Sequence, residues 1–246
     1  MTTTSDRVLG VMALFSGERW RWTVEQAAGE LGLPTSTAYR YFKSLALAEV
    51  LSPQSGGYYT LGPAICALDR AMRLHDPFIT AARDEMQRLA KEWPDTIVLL
   101  TRLYKNTVMC VHREGEGLRA DGYERGRPMP LHRGAASKAI LAHLTPRHLR
   151  NLAQADGEGG PVNPDALRDE LRQIKIQGYS VTRGEIDASR IGISVPVFGG
   201  NQTLEGSLSF VLASDRRNDE AAAIEALVRS RKLVEGNLLV AELQAA

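Results

Sequence analysis

Cysteine is nearly missing: Cys66 and Cys110 are the two thiols in 246 residues. A pair so far apart provides no disulfide framework and suits a reducing cytoplasm, which is the expected location. No apolar run approaches the roughly 20 residues that a bilayer crossing needs, so a membrane-spanning role is excluded. The opening MTTTSDRVLG has no apolar stretch behind a basic start, so no secretory signal is expected. Excess charge is lacking as well: 30 Lys and Arg face 29 Asp and Glu, a net of +1. Any contact with a polyanion must therefore come from a local patch. Catalytic signatures are also missing. Ser137 and Lys138 are adjacent rather than spaced Ser-x-x-Lys, and no Gly-x-Ser-x-Gly elbow occurs. His75, His112, His132, His143 and His148 form no H-E-x-x-H pattern, and no Walker or Rossmann glycine motif is present. No cofactor, metal or catalytic set is expected.

Hydrophobic residues at 43% with charged residues at 24% can build a sizeable core, which excludes disorder for the bulk of the chain. The length suits one large domain or two modest ones. Val8, Val11, Met12 and Phe15 recur at helical spacing. Arg19 to Trp22 reads as a short connector. Thr23, with Gln26 three residues on, forms a capping box that opens a helix bearing Val24, Ala27, Ala28 and Leu31. Gly32-Leu33-Pro34 breaks it, and a third helix carries Ala38, Tyr41, Phe42 and Leu45 on one face. Val50-Leu51 and Tyr58 to Leu61 read as strands around a Gly56-Gly57 tip, a wing behind three helices.

If Ala38, Tyr41, Phe42 and Leu45 face the core, then Ser36, Tyr39, Arg40 and Lys43 face outward. Hydroxyls of Thr35, Ser36 and Thr37 sit at that helix's N-terminus. A helix in a major groove needs this arrangement, with cations and hydroxyls for phosphates and tips near base edges. Residues 1–62 are thus a winged helix-turn-helix expected to bind double-stranded DNA through Thr35, Ser36, Thr37, Tyr39, Arg40, Lys43, Gln54 and Tyr58. Near-neutral charge favours a defined operator over sequence-tolerant architectural binding. Residues 63–76 read as a linker helix with Ile65, Leu68 and Met72 on one side.

Residues 77–246 alternate helices and strands, an α+β pattern. A helix over Phe78–Trp93 precedes a hairpin, Thr96–Tyr104 and Thr107–Arg113, across Lys105-Asn106. The stretch Gly115–Pro130 is expected to hold a short strand pair. Helices are expected over Gly134–Leu144, from Thr145-Pro146, and from Asn163-Pro164 to Gly178, with a glycine-rich loop over Asp156–Pro161 between the last two. Strands over Ile191–Phe198 and Leu204–Ala213 precede a long helix from about Asp219. Ile191, Ile193, Val195 and Val197 share one face, and Gly192, Ser194 and Pro196 the other. In the later strand Leu204, Leu208, Phe210 and Leu212 oppose Ser207, Ser209 and Val211. Two small, partly polar faces suit either a ligand pocket or a sheet covered closely by a helix. Gly134 to Ser137, at a helix start, suits an anion cradle or close packing.

Thr23 to Leu61, with LGLPTSTAYRYFKSL and GGYYTLG, resembles the DNA-binding half of the IclR family of bacterial transcriptional regulators. PLHRGAASKAILAHL at 130–144, GYSVTRGE at 178–185, and ISVPVF at 193–198 followed by GSLSF resemble that family's effector-binding domain. The resemblance implies a GAF-like C-terminal domain, an antiparallel sheet flanked by helices, in a homodimer or tetramer. By motif it places effector contacts at Met129, Ala135, Ala136, Thr182, Gly192, Ser209 and Val211. Arg133, Arg183 and Arg190 lie beside these positions, where an arginine could grip a carboxylate effector; Arg183 and Arg190 join the expected set. The sequence departs from the family at Gly199, where aspartate is common, at Arg190, and at the small Gly192. These departures point to a larger or more anionic ligand than a two- or three-carbon acid. The rival reading is a small-molecule-processing enzyme built on the second domain.

Overall fold

The computed structural model describes residues 3–115, 122–155 and 164–245. The chain divides into two units, Met1–Leu74 and His75–Ala246. In the first, helix α1 (Thr4–Ala13) begins where the Thr3 hydroxyl accepts from the Asp6 N–H and the Asp6 carboxylate accepts from the Thr3 N–H. A tight turn over Leu14–Ser16 carries Phe15 into the core. Strand β1 (Trp22–Thr23) leads into α2 (Val24–Glu30), whose Thr23–Gln26 capping box forms as expected. Helix α3 (Thr35–Leu47) follows, then β2 (Leu51–Pro53), β3 (Tyr58–Leu61) and α4 (Pro63–His75). Gly56 and Gly57, at φ +72° and +76°, make the wing tip in a region that L side chains avoid.

The apolar faces read from the helices meet in one core around Phe42, fully buried, with Tyr59 edge-on at 5.0 Å and Phe15 at 6.3 Å. Burial of one such ring contributes about 1.5–3 kcal/mol. The connector reading of Arg19–Trp22 needs correction. Trp22 pairs with Tyr59 and Thr23 with Tyr58, so the wing is a three-stranded sheet in the order β1-β3-β2. A two-residue strand has no period to read. What holds it is the buried Trp22 indole, whose N–H donates to the Leu14 and Arg19 carbonyls at 3.1 Å each. Helix α4 has no buried residue, and Leu68, Met72 and Leu74 are exposed.

The second unit is a six-stranded antiparallel sheet between helical layers. Its elements are α5 (Pro77–Glu92), β4 (Ile97–Tyr104), β5 (Thr107–Glu114), β6 (Pro128–Met129), α6 (Ala135–Leu141), α7 (Pro146–Ala155), α8 (Pro164–Gln177), β7 (Ser180–Arg183), β8 (Arg190–Phe198), β9 (Leu204–Ala213) and α9 (Glu220–Ala245). The strand order is β6-β5-β4-β9-β8-β7. Asp76 caps α5 by accepting from the Phe78 and Ile79 N–H groups, and its carboxylate also pairs with Arg102 at 2.7 Å. Helices α5 and α9 cover one face, burying Phe78, Met86 and Leu89 with Ile193, Val195, Phe210 and Leu227. The other face carries α6, backed by α7 and α8, over Leu99, Cys110, Ile140, Leu152 and Ile174.

Several sequence expectations shift here. Gly134 caps α6 at φ +84°, and the expected Gly134–Leu144 helix shortens to seven residues. Ser180–Arg183 forms a strand paired with Ile191–Ser194, too short to show alternation. Leu204 packs against the α6-side core, not beside Leu208, because a register shift near Phe198 inserts one residue and reverses the alternation. Of the strand pair expected in Gly115–Pro130, Pro128–Met129 is the one strand among the described residues. Positions 116–121, the loop over Asp156–Pro161 and Asn163 lie outside them.

Two outcomes follow for stability and reactivity. A Cβ on Gly206 would lie 2.0 Å from the Thr101 carbonyl and 2.8 Å from the Phe78 ring. Gly206→Ala should therefore cost about 1–3 kcal/mol in urea unfolding. Burial pushes the Cys110 thiol up to about 11, whereas Cys66 is exposed. A disulfide-exchange reagent at neutral pH should thus titrate one thiol per native chain, at Cys66, and two after unfolding.

Candidate DNA-binding and effector sites

Helix α3 presents the expected outward ridge. Thr35, Ser36, Tyr39, Arg40 and Lys43 are exposed, Tyr39 by 57%, and Thr37 is half-buried. No carboxylate occurs in the helix, so nothing on it neutralises Arg40 and Lys43 locally. The Pro34 carbonyl already accepts from the N–H groups of Thr37 and Ala38, leaving those of Thr35 and Ser36 facing outward. On the wing, Gln54 is exposed and its Nε2 donates to the Ser52 and Thr60 hydroxyls, while Tyr58 is half-buried.

In the second unit, a cavity opens where β4, β8 and β9 meet the start of α6. Met129, Ala135, Ala136, Thr182, Arg190, Gly192, Ser209 and Val211 all line it. Leu99, Tyr123, Ile186 and Asp187 line it too, and Gly134, Gly184, Glu185 and Phe210 complete the wall. Leu99, Tyr123, Ile186 and Asp187 escaped the sequence reading: Ile186 and Asp187 share a loop without periodic signal, Tyr123 sits in an irregular stretch, and Leu99 stands in the continuous apolar run Ile97–Leu100, which has no alternation to separate its faces. A tyrosine in such a stretch was the one available hint. Burial, and then the neighbouring Asp187 carboxylate, raise the Tyr123 phenol above the usual tyrosine range, so it keeps its proton at neutral pH and has an O–H to offer as a hydrogen-bond donor. Arg190 is largely buried and makes one long contact, 3.5 Å, to Asp187.

Arg183 does not belong to this set. It follows inward-facing Thr182 in the alternation of β7 and therefore points away. Its guanidinium binds the Glu220 carboxylate in bidentate fashion, with Nε 2.9 Å from Oε1. Arg133, also exposed, donates to the Glu185 carbonyl.

The loop at 184–189 closes the cavity, whose interior measures about 30 Å³, room for about two waters. Ile186 lies so close that a Cβ on Gly134 would stand 2.4 Å from its Cδ1. The Glu185 carboxylate accepts from the Gly134 N–H at 2.9 Å and from Lys138 Nζ at 2.6 Å. The cradle expected at Gly134 to Ser137 thus holds an anion from the chain itself. Lys138 is buried and also donates to Glu170 at 2.7 Å. Burial works against its charge, but Glu170 and Glu185 outweigh it and hold the ammonium above the ordinary lysine range.

The hydroxyls of the small-residue face divide between packing and pocket. Ser207 donates to the Ala136 carbonyl at 3.2 Å, and Ser209 and Ser194 share a bond of 2.8 Å. Of these serines, Ser209 alone reaches the cavity. Two of the three departures from the family pattern have structural causes. The space a Gly192 side chain would fill is taken by Thr182 Oγ1 at 3.1 Å and Ala135 Cβ at 3.2 Å, so this glycine admits α6 instead of enlarging the cavity. Gly199 lies at the far end of β8, against Glu242 and Glu205. Arg190 is the departure that stands at the cavity wall with its side chain largely buried.

Among the described residues no cluster of three His, Cys, Asp or Glu could hold a metal ion, and no helix is long and apolar enough to cross a membrane.

Residues 4–49 match the family described as the IclR helix-turn-helix domain, and residues 74–232 match the bacterial transcriptional regulator IclR C-terminal family. A protein of Halobacterium salinarum named "Probable HTH-type transcriptional regulator ArcR" is 28% identical over 217 residues, covering 84% of this chain and 82% of that one. The crystal structure of an IclR homologue from Microbacterium hydrocarbonoxydans, complexed with 4-hydroxybenzoate, superposes with a TM-score of 0.81. It is 24% identical and covers 96% of this chain and 99% of its own. An IclR-type regulator from Alicyclobacillus acidocaldarius gives 0.78 at 23% identity, covering 95% and 98%. These structural likenesses establish the fold. The families and curated relatives are transcriptional regulators, not enzymes. The two matched domains, in this order, establish that the chain belongs to the IclR family, as a transcriptional regulator with a helix-turn-helix DNA-binding domain and a C-terminal effector domain.

Proposed function

We propose that the chain binds a pseudo-palindromic operator through paired winged helices and answers to an organic acid bound in the β4–β8–β9 cavity. In this reading Ser36, Tyr39 and Arg40 meet base edges, Thr35, Thr37 and Lys43 hold phosphates, and Gln54 and Tyr58 touch the adjacent backbone. The exposed, carboxylate-free ridge of α3 supports these roles. A homodimer, or a dimer of dimers, would set two recognition helices about 34 Å apart, one turn of DNA. Exposed Leu68 and Met72 on α4 and Leu239 and Leu243 on α9 support self-association. As a DNA-bound regulator it works in the cytoplasm.

The observation that carries the effector reading is Arg190, a largely buried guanidinium at the wall of an otherwise mostly apolar cavity. Leu99, Met129, Ile186 and Val211 suit a hydrocarbon ring or chain, and Arg190 with Ser209 and Thr182 suits a carboxylate. An aromatic monocarboxylate of the 4-hydroxybenzoate kind, which the Microbacterium homologue binds, fits that chemistry once Ile186 swings outward. Such a ligand changes DNA affinity only by binding two domain arrangements unequally, typically with about 1–3 kcal/mol of coupling.

Gel shifts at fixed salt on duplexes selected from a random pool test the first half. Arg40→Ala should weaken binding at least tenfold (roughly 1–3 kcal/mol per base contact) with an unchanged melting temperature; wild-type affinity would remove Arg40 from the interface. Calorimetric titration with 4-hydroxybenzoate and aliphatic acids tests the second. Arg190→Ala should abolish the heat, Arg183→Ala should leave it intact, and no acid should be turned over. Equal losses in both variants would move the ligand away from this cavity.

A further inference from the structure

The outer face of the wing sheet, which the DNA-binding reading uses at Gln54 and Tyr58 alone, extends beyond those two residues. Trp22, Tyr59 and Leu51 point into the core, so alternation puts Arg21, Tyr58, Thr60 and Ser52 on the outer side. There the Arg21 guanidinium stands 4.6 Å from the Tyr58 ring centroid and 5.2 Å from that of Trp20. Trp20 is 63% exposed. One step away, Arg19 rests 4.4 Å from the ring of buried Trp22. Both guanidinium groups lie on aromatic faces, and neither pairs with a carboxylate among the described residues. The face continues through Gln54, whose amide links the Ser52 and Thr60 hydroxyls at 3.4 and 3.3 Å. The residues placed on it, Arg21, Ser52, Gln54, Tyr58 and Thr60, supply hydroxyls, an amide and a cation, and none of the five is an acid.

Most exposed arginines move freely. One held against two rings loses that freedom in advance and keeps its in-plane N–H donors available, the condition for gripping a planar or tetrahedral oxyanion. The three strands span about 10 Å, and a DNA strand sets one phosphate per about 3.4 Å of axis. A phosphate contacted by Gln54 or Tyr58 at the tip therefore has neighbours within reach of β1.

We propose that Arg21, held by Trp20 and Tyr58, is a phosphate anchor for operator DNA on the outer face of the wing. The proposal rests on the reading of this unit as the DNA-binding domain and adds a contact outside the recognition helix and the wing tip. Trp20 is the positioning residue, because its ring restrains the guanidinium without touching DNA.

The test is a salt titration of the full-length chain on its selected duplex and on scrambled DNA of equal length. Arg21→Ala should weaken both complexes alike, roughly tenfold per bound protomer near 0.1 M salt, and lower the slope of log affinity against log salt by about 0.9 per protomer. Arg21→Lys should restore the slope. Trp20→Leu should keep it and lose about two- to fivefold in affinity. Arg40→Ala should instead narrow the gap between selected and scrambled DNA. An unchanged slope in Arg21→Ala, with Arg40→Ala impaired, would overturn the anchor and leave the DNA-binding reading intact. Absence of selective binding by the wild type would overturn both. A Trp20→Leu chain that dissociates in sedimentation while its salt slope and its affinity per protomer are unchanged would assign this face to a second copy of the chain.

Discussion

Lys138 is the constraint on which the effector domain turns. Helix α6 sits close to the sheet because β8 and β9 offer Gly192, Ser194, Ser207 and Ser209 beneath it. That approach takes the Lys138 ammonium out of water. A buried cation is tolerated when paired, and removing one partner of such a pair typically costs about 3–5 kcal/mol. Glu170 from α8 and Glu185 from the β7–β8 loop supply the pairing, so the need to neutralise one ammonium ties a helix and a loop to α6. Both carboxylates remain partly exposed, which puts the cost toward the lower end.

Closure of the cavity follows from the same pairing. With Glu185 held by Lys138 and by the Gly134 N–H, the next residue, Ile186, is placed in the cavity wall beside Gly134. An apolar side chain of the wall is thus anchored beside a charged pair. The ion pair and part of the cavity wall therefore share one loop. Strand β4 contributes at two points: Leu99 lines the cavity, and three residues on, Arg102 pairs with Asp76, the residue that caps α5. Glu205 holds the other side of the Arg102 fork at 3.1 Å.

Legibility from sequence followed period and local chemistry. The α3 face was readable because four apolar residues at helical spacing leave the polar ones nowhere to go but out. The Thr23–Gln26 cap was readable because its partners are three residues apart. Strand β1 was not, since its existence depends on the Trp22 indole reaching Leu14 and Arg19. The motif positions expected to contact an effector came together around one cavity, yet Arg183 and Arg190, equally plausible as neighbours of that motif, separated. The alternation of β7 sends Arg183 out to Glu220, whereas Arg190 stays at the cavity wall.

The amino-acid pattern alone determined the helix faces, the β2–β3 hairpin of the wing, the division between small and large faces of β8, and the family, because each is written within a few residues or in ordered motifs. Tertiary structure decided which hydroxyls pack and which face the cavity, where Leu204 points after the register shift, and that the anion cradle at Gly134 is filled by Glu185. Those outcomes depend on contacts between residues far apart in the chain. Gly134 and Glu185 meet across 51 positions, and no local period records such a meeting.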